Sequence, residues 1–475
     1  MADLSAPLPL AAPPRPASVT GAELLAAAAD HERCGRFDAA ERLLRHLLGT
    51  EPERPEALHL LGIVMFRQGR RAEARDVMMR SLRGTGDTSL HWRNACEVLR
   101  QCGELDLALA AAQRAAALAP EDAVALANLA VVHNDRRELD AAERSARAAL
   151  ARDPGQAGAH FSLAEVLLLR GDWAQAWDEY LWRFRLPGAE RNLPPGGGVP
   201  WDGRALPAGR LLVIADQGYG DAIQFGRYLP QVVERCPDPV VACGRDVRSI
   251  MRQLGAATLV DRWEEVAPVD MIVTLSGLPR VFGTRVDTVP AAVPYLRACP
   301  TLRRRWAARL AELDSRDGPR VGLAWAGRPT HSNDHRRSTT LAALGPLLAL
   351  PGTTFVSVQK GDRQSEVGAF FGATPLVNLG PELRSWDDTM AVLSELDALV
   401  TVDTAVAHLA GALGRPVHLM LPHAGEWRWL LERDDSPWYP TMRLHRQPVR
   451  GDWASVAASV ARALETHVAA RDGAR

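Results

Sequence analysis

The chain has 475 residues, of which 47% are hydrophobic and 24% charged, a composition ordinary for globular protein at a length too great for one core, so two or three domains are expected. A formal net charge of -1, with 56 Lys+Arg against 57 Asp+Glu, removes any bulk electrostatic argument for nucleic acid or an anionic membrane and makes any anion site a local one.

Residues 1–17 are rich in Pro and Ala and read as a disordered N-terminus. They lack the basic start and apolar core of a signal peptide, and no apolar run reaches the roughly 18 residues that a membrane span needs. Cys34, Cys96, Cys102, Cys236, Cys243 and Cys299 show no CxxC or paired spacing. They are expected to be free thiols of a reducing compartment, which makes the cytoplasm the expected location.

Residues 18–190 are self-similar. The fragments CGRFDAAERLL, QGRRAEARDVM, CGELDLALAAA, DRRELDAAERS and RGDWAQAWDEY place Gly35, Gly69, Gly103, Arg137 and Gly171 in one column with a spacing of 34. Five residues on, each unit has alanine: Ala40, Ala74, Ala108, Ala142 and Ala176. Ahead of the glycine come the small residues Ala28, Gly62, Cys96, Ala130 and Ala164. Pro52, Pro120 and Pro154 share another phase, with Gly86 in place of the proline between them. Small residues let two antiparallel helices approach, glycine permits a left-handed turn, and proline ends the second helix. This pattern resembles the tetratricopeptide repeat, with five helix pairs, which implies an all-α superhelix whose concave side holds a protein partner. Bracing the next domain or self-association is the plainer use of such an array. Arg137 departs from the glycine column, so strain or a different turn is expected there. The fifth repeat runs into an aromatic stretch with Trp173, Trp177, Trp182 and Phe184, whose expected job is to pack the array against the next domain.

A turn-rich linker, residues 191–205, precedes a change to alternating strands and helices. Strands are expected in RLLVIAD, PVVACG, ATLVD and DMIVTLS, with helices at 222–235 and 246–254; after Arg297, strands are expected in PRVGLAWAG, TTFVSVQ, ALVTVD and PVHLMLP, with helices near 340–350, 386–395 and 405–413. Such alternation implies two parallel sheets covered by helices, that is, paired Rossmann-like domains at 206–300 and 301–475 with a cleft between them. Ligands on such sheets bind at the carboxyl ends of strands near helix N-termini. Asp403 and Thr404 end the apolar strand ALVTVD and open a helix of small residues, so its free amides and dipole suit a diphosphate. Taken singly, Asp403 is equally a helix cap and His408 a satisfied buried histidine.

The segment DTAVAHLAGALGRPVHLMLP resembles the signature of the heptosyltransferase-like glycosyltransferases, family 9, and DQGYGDAIQFGRYLP looks like their N-terminal Gly-Asp loop. The resemblance implies a two-domain GT-B fold and, following the repeats, a glycosyltransferase that takes a nucleotide-sugar as donor substrate and needs no further cofactor. It implies that Asp403, Thr404, Ala405 and His408 hold the donor diphosphate and that Asp221, beside Gly220, is the base that deprotonates the acceptor hydroxyl. Asp221 is equally well explained as a helix cap.

The basic stretch WAGRPTHSNDHRRST, residues 325–339, offers Arg336 or Arg337 to the leaving diphosphate, the alternative being a solvated loop. Gln359 and Lys360, with Gly220, are candidates for the nucleoside or the cleft. PHAGEWRWLLERDDSPWYP carries His423, Glu426, Trp427, Arg428, Trp429 and Trp438, which close the cleft over the sugar or pack the domain edge; none is assigned a catalytic role. No acidic cluster of the D-x-D kind stands near these loops, so inversion without a metal is expected. The layout is also similar to that of the protein O-GlcNAc transferases, which suggests a protein acceptor recruited by the repeats, alongside a glycan acceptor. The alternatives are an interaction scaffold whose GT-B region binds nucleotide without chemistry, and a sugar-nucleotide hydrolase.

Overall fold

The computed structural model describes residues 19–84, 88–189, 193–314, 316, 318–331, 333–370 and 376–472. The Pro/Ala-rich N-terminus, Gly86 and Asn192 lie outside the described residues. The chain divides into two compact units, Met1–Pro154 and Gly155–Arg475.

The first unit is built of antiparallel helix pairs: α1 (Gly21–Arg33) with α2 (Phe37–Thr50), α3 (Pro55–Arg67) with α4 (Arg71–Ser81), α5 (Ser89–Gln101) with α6 (Leu105–Leu118), and α7 (Ala123–Asp135) with α8 (Leu139–Arg152). Gly35, Gly69 and Gly103 have φ of 71°, 82° and 87°. Each turn closes with an amide returning to a carbonyl five residues earlier, as from Arg36 to His31 at 2.9 Å, which is the left-handed helix ending that glycine favours. Arg137 takes the same turn, with φ 64° and the Glu138 amide on the His133 carbonyl at 2.9 Å. The expected departure is therefore one of residue type, not geometry, and a side chain at positive φ carries the strain. Ala40, Ala74, Ala108 and Ala142 are fully buried where paired helices touch.

The second unit opens with the fifth pair, α9 (Ala157–Arg170) and α10 (Trp173–Tyr180), and a 3-10 turn, Leu181–Arg185. Two parallel sheets come next. The first comprises β1 (Leu211–Ile214), β2 (Val240–Ala242), β3 (Thr258–Val260) and β4 (Met271–Thr274) in the order β3-β2-β1-β4. The second comprises β5 (Arg320–Ala324), β6 (Thr354–Ser357), β7 (Leu376–Asn378), β8 (Ala398–Val402), β9 (Val417–Leu421) and β10 (Met442–Arg446) in the order β10-β9-β8-β5-β6-β7. An all-α repeat superhelix followed by two parallel α/β sheets is the GT-B layout expected of the sequence. β1, β8 and β9 are buried along their whole length, as their unbroken apolar runs require.

The strand order reverses between β1 and β4 in one sheet and between β5 and β8 in the other. Such reversals open a crevice at the strands' carboxyl ends. Expected strands are found in order, while β7 and β10 fall outside the expected set. The helix expected at 222–235 is two helices, Tyr219–Gly226 and Leu229–Arg235, because Pro230 offers no amide and its ring clashes with a helical carbonyl four residues back. The end of the expected linker is docked: Pro200 bridges Ile272 of β4, and the Trp201 amide donates to the Ile272 carbonyl at 2.8 Å. Among the described residues no helix is long and apolar enough to cross a membrane.

Candidate active site

Residues 215–218 carry the chain from β1 into the helix Tyr219–Gly226. Asp221 lies in the first turn of that helix, and its Oδ2 accepts from the Gly218 amide at 3.1 Å. It therefore does cap the helix, and it keeps about a quarter of its side-chain surface exposed. In the other sheet, β8 ends at Val402 and, after Asp403 and Thr404, the helix Ala405–Ala412 begins, with Thr404 as N-cap in extended conformation. Among the described residues no side chain caps this helix, and of its first three amides that of Ala407 donates to the Thr404 carbonyl at 3.0 Å.

Gly220 joins the two signatures. A Cβ at that position would lie 2.9 Å from His408 Cδ2 and 3.4 Å from Ala405 Cα. The two helices thus meet at a residue with no side chain, which puts Asp221 of one sheet beside Asp403, Thr404 and Ala405 of the other. His408 is buried, stacked on Trp429 at 5.4 Å between centroids, and hydrogen-bonded through Nδ1 to the Tyr439 hydroxyl at 3.0 Å. Burial, reinforced by Arg428, Arg227 and Arg337, pushes its pKa well below the ordinary value. A neutral imidazole offers a hydrogen bond but no charge, and with Nδ1 held by Tyr439 it is Nε2 that would face a ligand.

After β5, Arg337 folds over Gly327, where an added Cβ would meet its Nη2 at 2.6 Å and Asp334 Oδ1 at 2.5 Å. Ser338 fixes this loop by donating to Asp334 Oδ1 at 2.9 Å while accepting from the Gly327 amide at 2.9 Å. Arg337 lies within electrostatic reach of His408 and His331, and His331 in turn feels Asp403 and Asp221. Arg336 precedes it on the short helix Asp334–Arg337 and is half-buried.

Sequence reasoning left Glu426 and Arg428 without a role. Arg428 is buried and donates from Nε to Gln224 Oε1 at 2.7 Å, from Nη2 to Asp221 and from Nη1 to Glu426. It also lies 4.5 Å from the Trp427 ring centroid. Burial opposes its charge, but the Glu426 and Asp221 carboxylates outweigh burial and raise its pKa. Burial raises the pKa of Glu426, with Asp403 and Asp221 adding to the rise and Arg428 opposing it. Three carboxylates therefore act on one guanidinium; Glu426 is its near neighbour in sequence, but the distance to Asp221 and Asp403 along the chain left no local signal by which to find the group.

Gln359 is used up within the fold. Its Oε1 accepts from the Trp325 and Ala326 amides at 2.9 Å each, and its Nε2 donates to the Ala326 and Lys360 carbonyls at 2.9 and 2.7 Å. All the hydrogen bonds its amide can make are thereby taken. It ties the end of β5 to the end of β6. Lys360 Nζ donates to the Gly380 and Leu383 carbonyls at 2.8 and 2.9 Å, which leaves one donor for anything else.

Two regions of the chain match models of known families. A tetratricopeptide repeat model matches residues 35–95, and a model of glycosyltransferase family 9 (heptosyltransferase) matches residues 363–418, which contain the 403–408 turn. The chain is 27% identical over 465 residues to Protein FlbA of Caulobacter vibrioides, covering 91% of this chain and 76% of that protein. It is 34% identical over 171 residues to Cellulose synthase operon protein C of Xanthomonas axonopodis pv. citri, covering 34% of this chain and 11% of that protein. A crystal structure of MamA is 22% identical, with a TM-score of 0.30, covering 33% of this chain and 92% of that one. The chain thus joins tetratricopeptide repeats to a region similar to the family 9, heptosyltransferase-like glycosyltransferases.

Proposed function

We propose that the protein transfers a sugar from a nucleoside-diphosphate sugar to a hydroxyl acceptor with inversion and without a metal, and that its repeats hold a protein acceptor or partner. The observation that carries this reading is the meeting of the two signatures at Gly220, which sets a carboxylate from one sheet against an uncapped helix end from the other. In the reaction the acceptor oxygen bonds to the anomeric carbon as the bond to the diphosphate breaks. The hydroxyl proton passes to Asp221, and the electron pair of the broken bond leaves on the diphosphate. Asp221 is part-exposed and held by the Gly218 amide and Arg428, so it can meet an acceptor in a fixed orientation. The first-turn amides after Asp403, with the Thr404 hydroxyl, suit the diphosphate, and Arg337 suits the charge that grows as the bond breaks.

The test is thermal unfolding of the full chain with UDP, ADP, GDP and their sugar forms. A ligand at 100 times its dissociation constant should add about 2.7 kcal/mol of stability. Asp221→Asn should retain that stabilisation and lose transfer, read as nucleoside diphosphate released. Stabilisation without turnover in the unsubstituted chain would support a nucleotide-binding scaffold, and free sugar released without an acceptor would mark a hydrolase.

A further inference from the structure

We infer that Gln217 is a positioning residue that aims Asp221, held from behind by the fifth repeat, so that this repeat belongs to the transferring machinery and not only to a recruiting array. The inference rests on Asp221 being the base proposed above.

Donor and acceptor chemistry fixes how Gln217 is turned. Arg183 has only hydrogens to give and the Asp221 carboxylate has only lone pairs, so the amide oxygen faces Arg183 and the nitrogen faces Asp221. In that orientation Gln217 donates to Asp221 Oδ1 at 2.8 Å and accepts from Arg183 Nη2 at 2.8 Å and the Tyr180 hydroxyl at 3.0 Å. The carboxylate thus receives Gln217 from one side and Arg428 from another, while the Gly218 amide holds its second oxygen. Three donors from three separate residues fix one side chain, which is more than a helix cap needs.

Arg183 also pairs with Asp216, next in sequence to Gln217. Asp216 is buried and accepts from the Ser276 hydroxyl at 2.7 Å and the Ser276 amide at 3.2 Å. One arginine of the repeat therefore fixes both residues that lead into the Gly220 and Asp221 turn. Tyr180 is itself immobilised: its ring is buried and packs on Trp427 at 5.8 Å and Trp177 at 6.1 Å. A hydrogen-bonded line then runs from a rigid aromatic cluster through Gln217 to the carboxylate. Packing alone would explain the rings but not the polar line.

The test uses the full chain, turnover of UDP-, ADP- and GDP-sugars read as nucleoside diphosphate released, and amide hydrogen exchange at Gly218. Tyr180→Phe keeps the ring and removes the hydroxyl; Gln217→Met keeps the length and removes all the amide's hydrogen bonds; Gln217→Glu can still accept from the repeat but cannot donate to Asp221. Each should lower kcat about 10- to 100-fold at unchanged donor KM and melting temperature, the scale set by a misaimed reacting group, and each should speed exchange at Gly218. Unchanged kcat and unchanged exchange in all three, with Asp221→Asn inactive, would overturn the inference and leave the base in place. Full turnover by Asp221→Asn would remove the base itself, and this inference with it.

Discussion

Gly220 has no room for a side chain, and its neighbour cannot yield. The ring that an added Cβ would strike, His408, is pinned between the Tyr439 hydroxyl and the Trp429 face. Gly220→Ala should therefore part the two signature helices by a few tenths of an ångström, with little effect on either sheet. Because a small misplacement of reacting groups costs far more in rate than in stability, kcat should fall about 10- to 100-fold while the melting temperature moves little. Steady-state kinetics beside a thermal melt checks this, and an unaffected kcat would mean that the two helices need not meet for chemistry. The same logic explains why Arg428 is buried. It bonds both Asp221 and Glu426, and breaking a buried ion pair from one side commonly costs about 3–5 kcal/mol.

At the scale of elements, the fifth helix pair is the informative one. Trp173 stacks on Trp438 at 5.2 Å and meets Trp427 edge-on at 6.1 Å, while Trp177 donates from its indole to the Thr284 carbonyl at 2.7 Å. Phe225, from the helix that carries Asp221, completes the cluster against Trp438 at 5.9 Å. Trp173, Trp177 and Tyr180 of the repeat bury on the order of 500 Å², worth about 12 kcal/mol at the usual coefficient. That is comparable with the whole net stability of a domain. A chain starting at Gly155 should thus be monodisperse and unfold cooperatively, whereas one starting at Pro200 should aggregate or bind ANS; size-exclusion chromatography of the two separates these outcomes. The sequence announced part of this. The 34-residue column marked the left-handed turns of the repeats at Gly35, Gly69, Gly103 and Gly171, with strain or a different turn expected at Arg137, and the apolar runs predicted the central strands, because both are local periodicities. The edge strands β7 and β10 carry weaker patterns, the first half-buried along its length. The partners of Asp221 were not legible for a different reason: Arg428 stands 207 positions away and Tyr180 reaches it only through Gln217, and no local period encodes such meetings.

At the scale of the whole molecule, buried neutral histidines make both compact units acid-sensitive. In Gly155–Arg475, burial followed by the Arg443 charge pushes His445 down to about 4, and His408 also lies well below the ordinary value. Glu426, raised by burial, acts in the opposite sense there. Met1–Pro154 gives the cleaner case. His59 is buried against His91, with ring centroids 4.5 Å apart, and burial followed by repulsion from His91 pushes it down to about 4. Unfolded histidine binds its proton below about 6.5, so between those values the unfolded chain holds more protons than the folded one and stability falls as pH falls. The slope for one such group is about 1.4 kcal/mol per pH unit, or about 3 kcal/mol across the window. Amide exchange in α3 and α5 should accordingly quicken from pH 6.5 to 4 beyond the intrinsic pH dependence of exchange. In His59→Phe that excess should disappear, whatever the substitution does to stability at neutral pH. An excess that survives the substitution would assign the acid sensitivity of this unit to groups other than His59.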